Sequence, residues 1–360
     1  MIAIRRNLVC LLLTLCAGFS YGQSDYGDHW SFSYSYGSLI THREAIDNSL
    51  RSLHPQGIHL SYAQRSKGTE QWHDHWSSAH TGYSFSYINL RDRDVLGSVI
   101  GVSMFFEKHL DLGSPIVHLS YRIAPGVSYS PKVYDAQDNP LNLFVSSPVN
   151  ISFEANFLFH IHISDSWSFH LGPQLNHYSN AAMQFPNIGI NVPSLKIGMN
   201  YLVGTREAYK PGSENVFTAL NQVQLRLALS LNSAGEEYDQ LDLAYLIAIQ
   251  NTWRLHPRIS LIASLDFIRS NASKKILENE NANPYRLGLA PGIQFELGKL
   301  SFCLQYGYYL YRPEKELYKS SYSRFGFKFQ LNDRITLSST LRSHVVKAEL
   351  LEWGIAYDLF

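Results

Sequence analysis

Apolar and polar residues alternate along nearly the whole chain with a period of two. Phe32, Tyr34 and Tyr36 alternate with serines, and Ile58, Leu60 and Tyr62 follow, then Tyr83, Phe85 and Tyr87. A strand points successive side chains to opposite faces, so this period marks β-strands, and the 3.6-residue period of helices is almost missing. The second half of the chain repeats the pattern. Val223, Leu225, Leu227 and Leu229 alternate with Gln222, Gln224, Arg226 and Ser230, and the chain ends on Trp353, Ile355, Tyr357 and Leu359. The runs amount to roughly sixteen strands of about ten residues, the length a tilted strand needs to cross a bilayer.

The connections alternate as well. Short turns fall near Ser164-Asp165, Leu255-His256-Pro257, Gly298-Lys299 and Asn332-Asp333. Longer connections fall at 125–147, 180–191, 268–284 and 312–319. The connection 64–80 is long where a short turn is expected. The pattern predicts an all-β fold, an antiparallel transmembrane β-barrel of roughly 14–16 strands with periplasmic turns and external loops. In one arrangement residues 23–204 form one half and 205–360 complete a single barrel. In the other, an 8-stranded barrel is joined near 205–216 to a second strand-rich unit. With both termini periplasmic, the end of the seventh strand lies on the external side.

Composition narrows this reading. Arg5 and Arg6 precede the apolar run Leu8–Leu15, and Ser20-Tyr21-Gly22 offers small residues, so 1–22 reads as an export signal peptide. Leu15 before Cys16 is too large for a lipoprotein site. Cys10 and Cys16 leave with the signal, so Cys303 stands alone and no disulfide framework exists. Aromatic residues make up 13% of the chain, as in barrels with aromatic girdles. A net charge of +0 lacks the basic excess that a nucleic-acid partner calls for, so none is expected. The terminal strand with Gly354, Tyr357 and Phe360 resembles the signal read by the outer-membrane assembly machinery, so the expected location is the cell outer membrane.

The candidate chemistry sits in His177-Tyr178-Ser179-Asn180, followed by Pro186-Asn187-Ile188-Gly189 and Asn191. On a strand, His177 and Ser179 share a face, which is the local geometry of a base beside a serine nucleophile. The same parity carries Trp167, Phe169 and Leu171, so the pair faces lipid. A reactive pair on that face suits a substrate that is itself a membrane lipid.

The stretch His177-x-Ser179-Asn180 with Pro186-Asn187-x-Gly189 resembles the core motif of the outer-membrane lipid A 3-O-deacylases, also termed acyloxyacyl hydrolases. The resemblance is close over roughly 175–204. It implies a carboxylic ester hydrolase that removes an ester-linked acyl chain from lipid A of lipopolysaccharide. It makes His177 the general base and Ser179 the nucleophile, with Asn187 and the backbone near Asn180 at the oxyanion. The family's third member, a glutamate that orients the histidine, falls at position 191, where this chain has Asn191. No acidic residue between Ser166 and Thr205 replaces it.

Neither a cofactor nor a metal is expected. His73-Asp74-His75 reads as an aromatic-rich loop tip, and His160 and His162, on the face of Glu154, read as lumen filling. Lys274-Lys275 reads as a solvated external loop within reach of lipid phosphates. A non-catalytic porin-like or structural barrel is the alternative reading of the whole chain.

Overall fold

The computed structural model describes residues 27–41, 48–67, 71–77, 79–112, 114, 116–181, 183–204, 220–233, 241–344 and 347–360. The expected signal peptide and the junction at 205–216 lie outside them. Among the described residues there are sixteen strands. The first eight are β1 (His29–Gly37), β2 (Gln56–Arg65), β3 (Ala79–Asn89), β4 (Ser98–Asp111), β5 (Val117–Tyr129), β6 (Val149–His162), β7 (Trp167–Ser179) and β8 (Ile190–Leu202). The second eight are β9 (Leu220–Ser233), β10 (Leu241–His256), β11 (Ile259–Arg269), β12 (Tyr285–Leu297), β13 (Leu300–Tyr311), β14 (Ser321–Gln330), β15 (Ile335–His344) and β16 (Lys347–Asp358).

The strands close as two antiparallel barrels of eight, not one of sixteen. β8 pairs with β1 in continuous register, from His29 opposite Leu202 to Gly37 opposite Ser194. β16 pairs with β9, and Phe360 O accepts the Val223 N–H at 3.0 Å beyond the last ladder pair. The single-barrel expectation, with 205–360 completing the first half, therefore gives way to its two-unit alternative. Period-two alternation is the same in both arrangements, and only the partner of β8 distinguishes them.

Alternation separates lumen from lipid. Along β7, Ser168, His170, Gln174, Asn176 and Tyr178 are buried, while Trp167, Leu171 and Leu175 are exposed on the outer face. Cross-strand aromatic neighbours mark one rim: Tyr62 lies opposite Trp30, Trp30 opposite Tyr201, and Tyr201 opposite Trp167. The rings of Trp30 and Tyr62, and of Trp167 and Tyr201, are each 4.9 Å apart. Such a girdle fixes a barrel's depth at the bilayer interface.

Eight strands enclose a lumen that side chains can fill. In the first barrel Glu107 is clamped by Arg122 at 2.5 Å, and Glu154 pairs with Lys196 at 3.2 Å. In the second, Glu352 receives Arg324 at 2.9 Å, Arg342 at 2.8 Å and Arg226 at 3.0 Å. Asp266 takes Arg324 at 2.6 Å and the Tyr322 hydroxyl at 2.5 Å. The wide aqueous lumen that a porin-like reading needs is not built from these residues. Because Glu352 pairs with three buried guanidinium groups and supplies one of the two carboxylate charges that face them, Glu352→Gln is expected to destabilise the second barrel by about 3–5 kcal/mol. Urea unfolding followed by the heat-dependent gel mobility of the folded barrel measures this.

The long connection 66–78 has a structural role. It carries a short helix, Gln71–His75, at the girdle rim. Trp76 behind it donates its indole N–H to Glu296 O of the second barrel at 2.8 Å, and the Arg258 guanidinium stacks on its ring at 4.7 Å. At the opposite rim, Ser233 N–H donates to Met183 O at 2.7 Å. The two barrels thus stand side by side with the same sidedness, joined at both rims. Among the described residues no helix is long and apolar enough to cross a membrane.

Candidate active site

The site grows from the end of β7 and the start of β8. Strand register sets His177 directly opposite Asn191. His177 Nδ1 lies 2.8 Å from Asn191 Oδ1, so with the imidazole proton on Nδ1 the ring donates to Asn191 and its lone pair is on Nε2. On the other side of β7, Phe153 stands opposite His177 and Ile151 opposite Ser179. His177 and Ser179 are half-buried on the outer face, in line with the lipid-facing Trp167, Leu171 and Leu175.

Beyond Ser179 the chain turns through Ala181, a non-glycine residue with φ +53°. Backbone of this kind is costly for an L-residue and clusters where function requires it. Here it aims the Ala181 N–H at Ser179 Oγ, 3.0 Å away. Asn187 Nδ2 donates to the same oxygen at 2.9 Å. Asn187 is itself oriented by the Asn180 N–H, which donates to its Oδ1 at 3.3 Å. Asn180 holds the turn, donating from Nδ2 to Ser146 Oγ at 3.1 Å and to Gln184 O at 2.9 Å. Two donors therefore converge on the hydroxyl oxygen of Ser179.

The 130–148 loop supports this turn from the rim of the long loops. Ile188 N–H donates to Leu143 O at 3.2 Å, and Gly189 N–H to Phe144 O at 3.0 Å. The loop's own bend is held by Asp135, whose carboxylate accepts the N–H groups of Asp138 and Gln137, which hold its pKa below the ordinary value. Phe144 and Val145 are fully buried in a cluster with Leu39, Leu90, Tyr178 and Ile190. Burying side chains of this kind contributes about 1.5–3 kcal/mol each, so the turn rests on a packed base.

Gly189 has φ +76°, and a Cβ there would lie 3.0 Å from His177 Cε1. Gly189→Ala would meet backbone strain and a clash with the imidazole together. It is expected to lower ester hydrolysis about 10²-fold by displacing the ring, since a misplacement of about 1 Å costs that much. Gel mobility should still report a closed barrel. Unchanged kinetics would show that the ring tolerates the shift.

Among the described residues no carboxylate lies within ion-pair distance of His177, so Asn191 is its polar partner. The other sequence candidates fall elsewhere. His73, Asp74 and His75 flank the inter-barrel contact, where His75 O accepts Arg258 at 2.8 Å. Lys275 is paired with Asp242 at 3.0 Å and Lys274 with Glu280 at 4.0 Å. His160 lies in the lumen with His109 and His118, and possible ligand atoms of the three lie within 4.8 Å of one another. His160 Nε2 is 2.8 Å from Ser120 Oγ, and its Nδ1 is 3.3 Å from Asn200 Nδ2, so both nitrogens already have partners in a lumen network. No single-strand motif announces this trio, because its members come from β4, β5 and β6.

The two barrels also match two family descriptions. Residues 56–200 match the lipid A 3-O-deacylase (PagL), and residues 220–360 match the acyloxyacyl hydrolase C-terminal domain. The chain belongs to the lipid A 3-O-deacylase family. No curated protein matches this deacylase-family chain. Among solved structures, the outer-membrane enzyme PagL is 16% identical, covering 48% of this chain and 99% of its own, with a TM-score of 0.33. Neisserial surface protein A is 9% identical over 51% of this chain and 100% of its own, with a TM-score of 0.35. A KdgM porin is 6% identical over 92% of this chain and 99% of its own, with a TM-score of 0.19.

The backbone donor that the sequence reading put near Asn180 is the Ala181 N–H. One feature of this deacylase-family site escaped the sequence reading. The second barrel stands across from His177 and Ser179, although its outer face reads in sequence as one more lipid-facing surface.

Proposed function

We propose that the protein is an outer-membrane serine esterase that removes an ester-linked acyl chain from lipid A. The observation that carries this reading is the convergence of the Asn187 amide and the Ala181 N–H on the oxygen of Ser179, beside a histidine held by Asn191. In the reaction, His177 Nε2 takes the Ser179 proton as Oγ attacks the ester carbonyl. The carbonyl oxygen becomes an oxyanion and takes over donors that rest on Oγ in the free enzyme. His177 then returns the proton to the sugar hydroxyl as it leaves, and water releases the acyl group from Ser179 by the same steps in reverse.

The lipid-facing side of the pair supports a substrate that stays in the membrane. Ser179 ends β7 on the rim of the long loops. Mass spectrometry of lipid A tests the reading in cells that lack the protein, carry it, or carry Ser179→Ala. Loss of one acyl chain only with the intact protein is the expected result, and an identical acylation pattern in all three would overturn it.

A further inference from the structure

The outer face of β7 looks across a cleft at the second barrel. The cleft has a volume of about 2180 Å³ and contains His177 and Ser179 in its wall. Its near wall includes Val127, Ile151 and Phe153, and its far wall includes Leu227, Leu229, Ile247 and Phe267 of the second barrel. Phe153 and Phe327 approach to 5.9 Å between ring centroids across it. Small-molecule sites occupy about 300–1,000 Å³, so this space suits a larger ligand with several chains.

Two of the residues bordering the cleft carry a positive charge, Arg269 and Lys328. Lys328 is turned into the second lumen, where it donates to Gln294 at 2.8 Å and Gln250 at 3.1 Å. Arg269 is different. It is the last residue of β11, at the long-loop rim, in register with Tyr245, which stands beside Leu229. Its guanidinium lies 5.9 Å from the Tyr245 ring centroid. The cleft is therefore apolar along its depth, with a cation at the same rim as Ser179. That is the polarity of a phosphorylated lipid, with chains below and an anionic headgroup above.

We propose that this inter-barrel cleft is the acyl-chain site for the lipid substrate, with the second barrel as its far wall and Arg269 pairing with a headgroup phosphate. The proposal rests on the lipid A reading above, and it assigns the second barrel a part in substrate selection. Packing between two protein walls would order chains that one barrel face leaves to the fluid bilayer, and ordering the substrate raises the fraction poised for attack.

Photocrosslinking tests this without turnover. Ser179→Ala protein in phosphatidylethanolamine vesicles is irradiated with lipid A carrying a diazirine in an acyl chain, and labelled peptides are mapped. Label should concentrate on Leu227, Leu229 and Ile247 relative to Leu289 and Tyr308, which face lipid away from the cleft. Adding Arg269→Ala should weaken labelling about tenfold, the value of a charge-assisted hydrogen bond. With dephosphorylated lipid A, that substitution should change nothing. Even labelling of cleft and control positions would overturn the proposal, as would an equal Arg269→Ala effect on both lipids. Cleft labelling by a protein that hydrolyses no lipid A would leave the cleft assigned and remove the esterase reading. Hydrolysis with even labelling would do the reverse.

Discussion

Ser179→Ala is expected to lower lipid A hydrolysis by the purified protein about 10²-fold, which is less than in a serine hydrolase with a complete triad. Loss of the nucleophile from a full triad costs about 10⁶ in kcat, and replacing the triad acid with an amide costs about 10⁴. These effects belong to one unit, so they overlap. A site that already holds Asn191 in place of an acid retains about 10² of that benefit for Ser179 to lose, close to 2.7 kcal/mol of barrier. His177→Ala should match it, because a base without a nucleophile and a nucleophile without a base are equally idle. The Asn187 and Ala181 donors remain in both variants and sustain a residual rate. Single-turnover release of fatty acid, followed by mass spectrometry, resolves a change of this size. Equal rates for wild type and Ser179→Ala would remove Ser179 from the chemistry.

What the sequence made legible follows from what period-two alternation encodes. A strand between lipid and lumen must alternate, so Phe32, Tyr34 and Tyr36, and Leu227 and Leu229, declare both strand and face. The same rule sets His177 and Ser179 on the outer face, because they share parity with Trp167 and Leu171. Closure is a different kind of fact. Whether β8 hydrogen-bonds to β1 or to β9 changes no side chain's face, so parity is silent on it, and the ladder from His29 to Gly37 decides it. The long 64–80 connection signalled an exception without its cause, which is Trp76 packing on a barrel more than two hundred residues away in sequence. Arg269 was hidden for a related reason. It ends an ordinary alternating strand, and its significance comes from standing across a cleft from Ser179.

The largest expected gain comes from restoring an acid at position 191. Asn191 gives His177 a hydrogen-bond acceptor at 2.8 Å but no charge, and an amide can equally present its NH₂. With the NH₂ toward Nδ1, the imidazole proton moves to Nε2 and the base is lost. A carboxylate accepts only, so it fixes the Nδ1–H tautomer, and it stabilises the imidazolium that forms during attack. Asn191→Asp keeps the side-chain length and tests charge at constant geometry. Asn191→Glu adds one methylene and supplies the residue that the family motif carries at this position. Position 191 is half-buried opposite His177, so the longer side chain has an outward path. The better placed of the two is expected to raise kcat by up to about 10⁴, the inverse of the Asp-to-Asn cost in a serine protease. In that background Ser179→Ala should then cost about 10⁶ instead of about 10². This non-additivity separates an acid acting through His177 from a carboxylate that simply stabilises the fold, which would leave the Ser179→Ala ratio unchanged. If both acids leave the rate where Asn191 holds it, orientation of the imidazole is not limiting, and the slow step lies in bringing the lipid ester to Ser179.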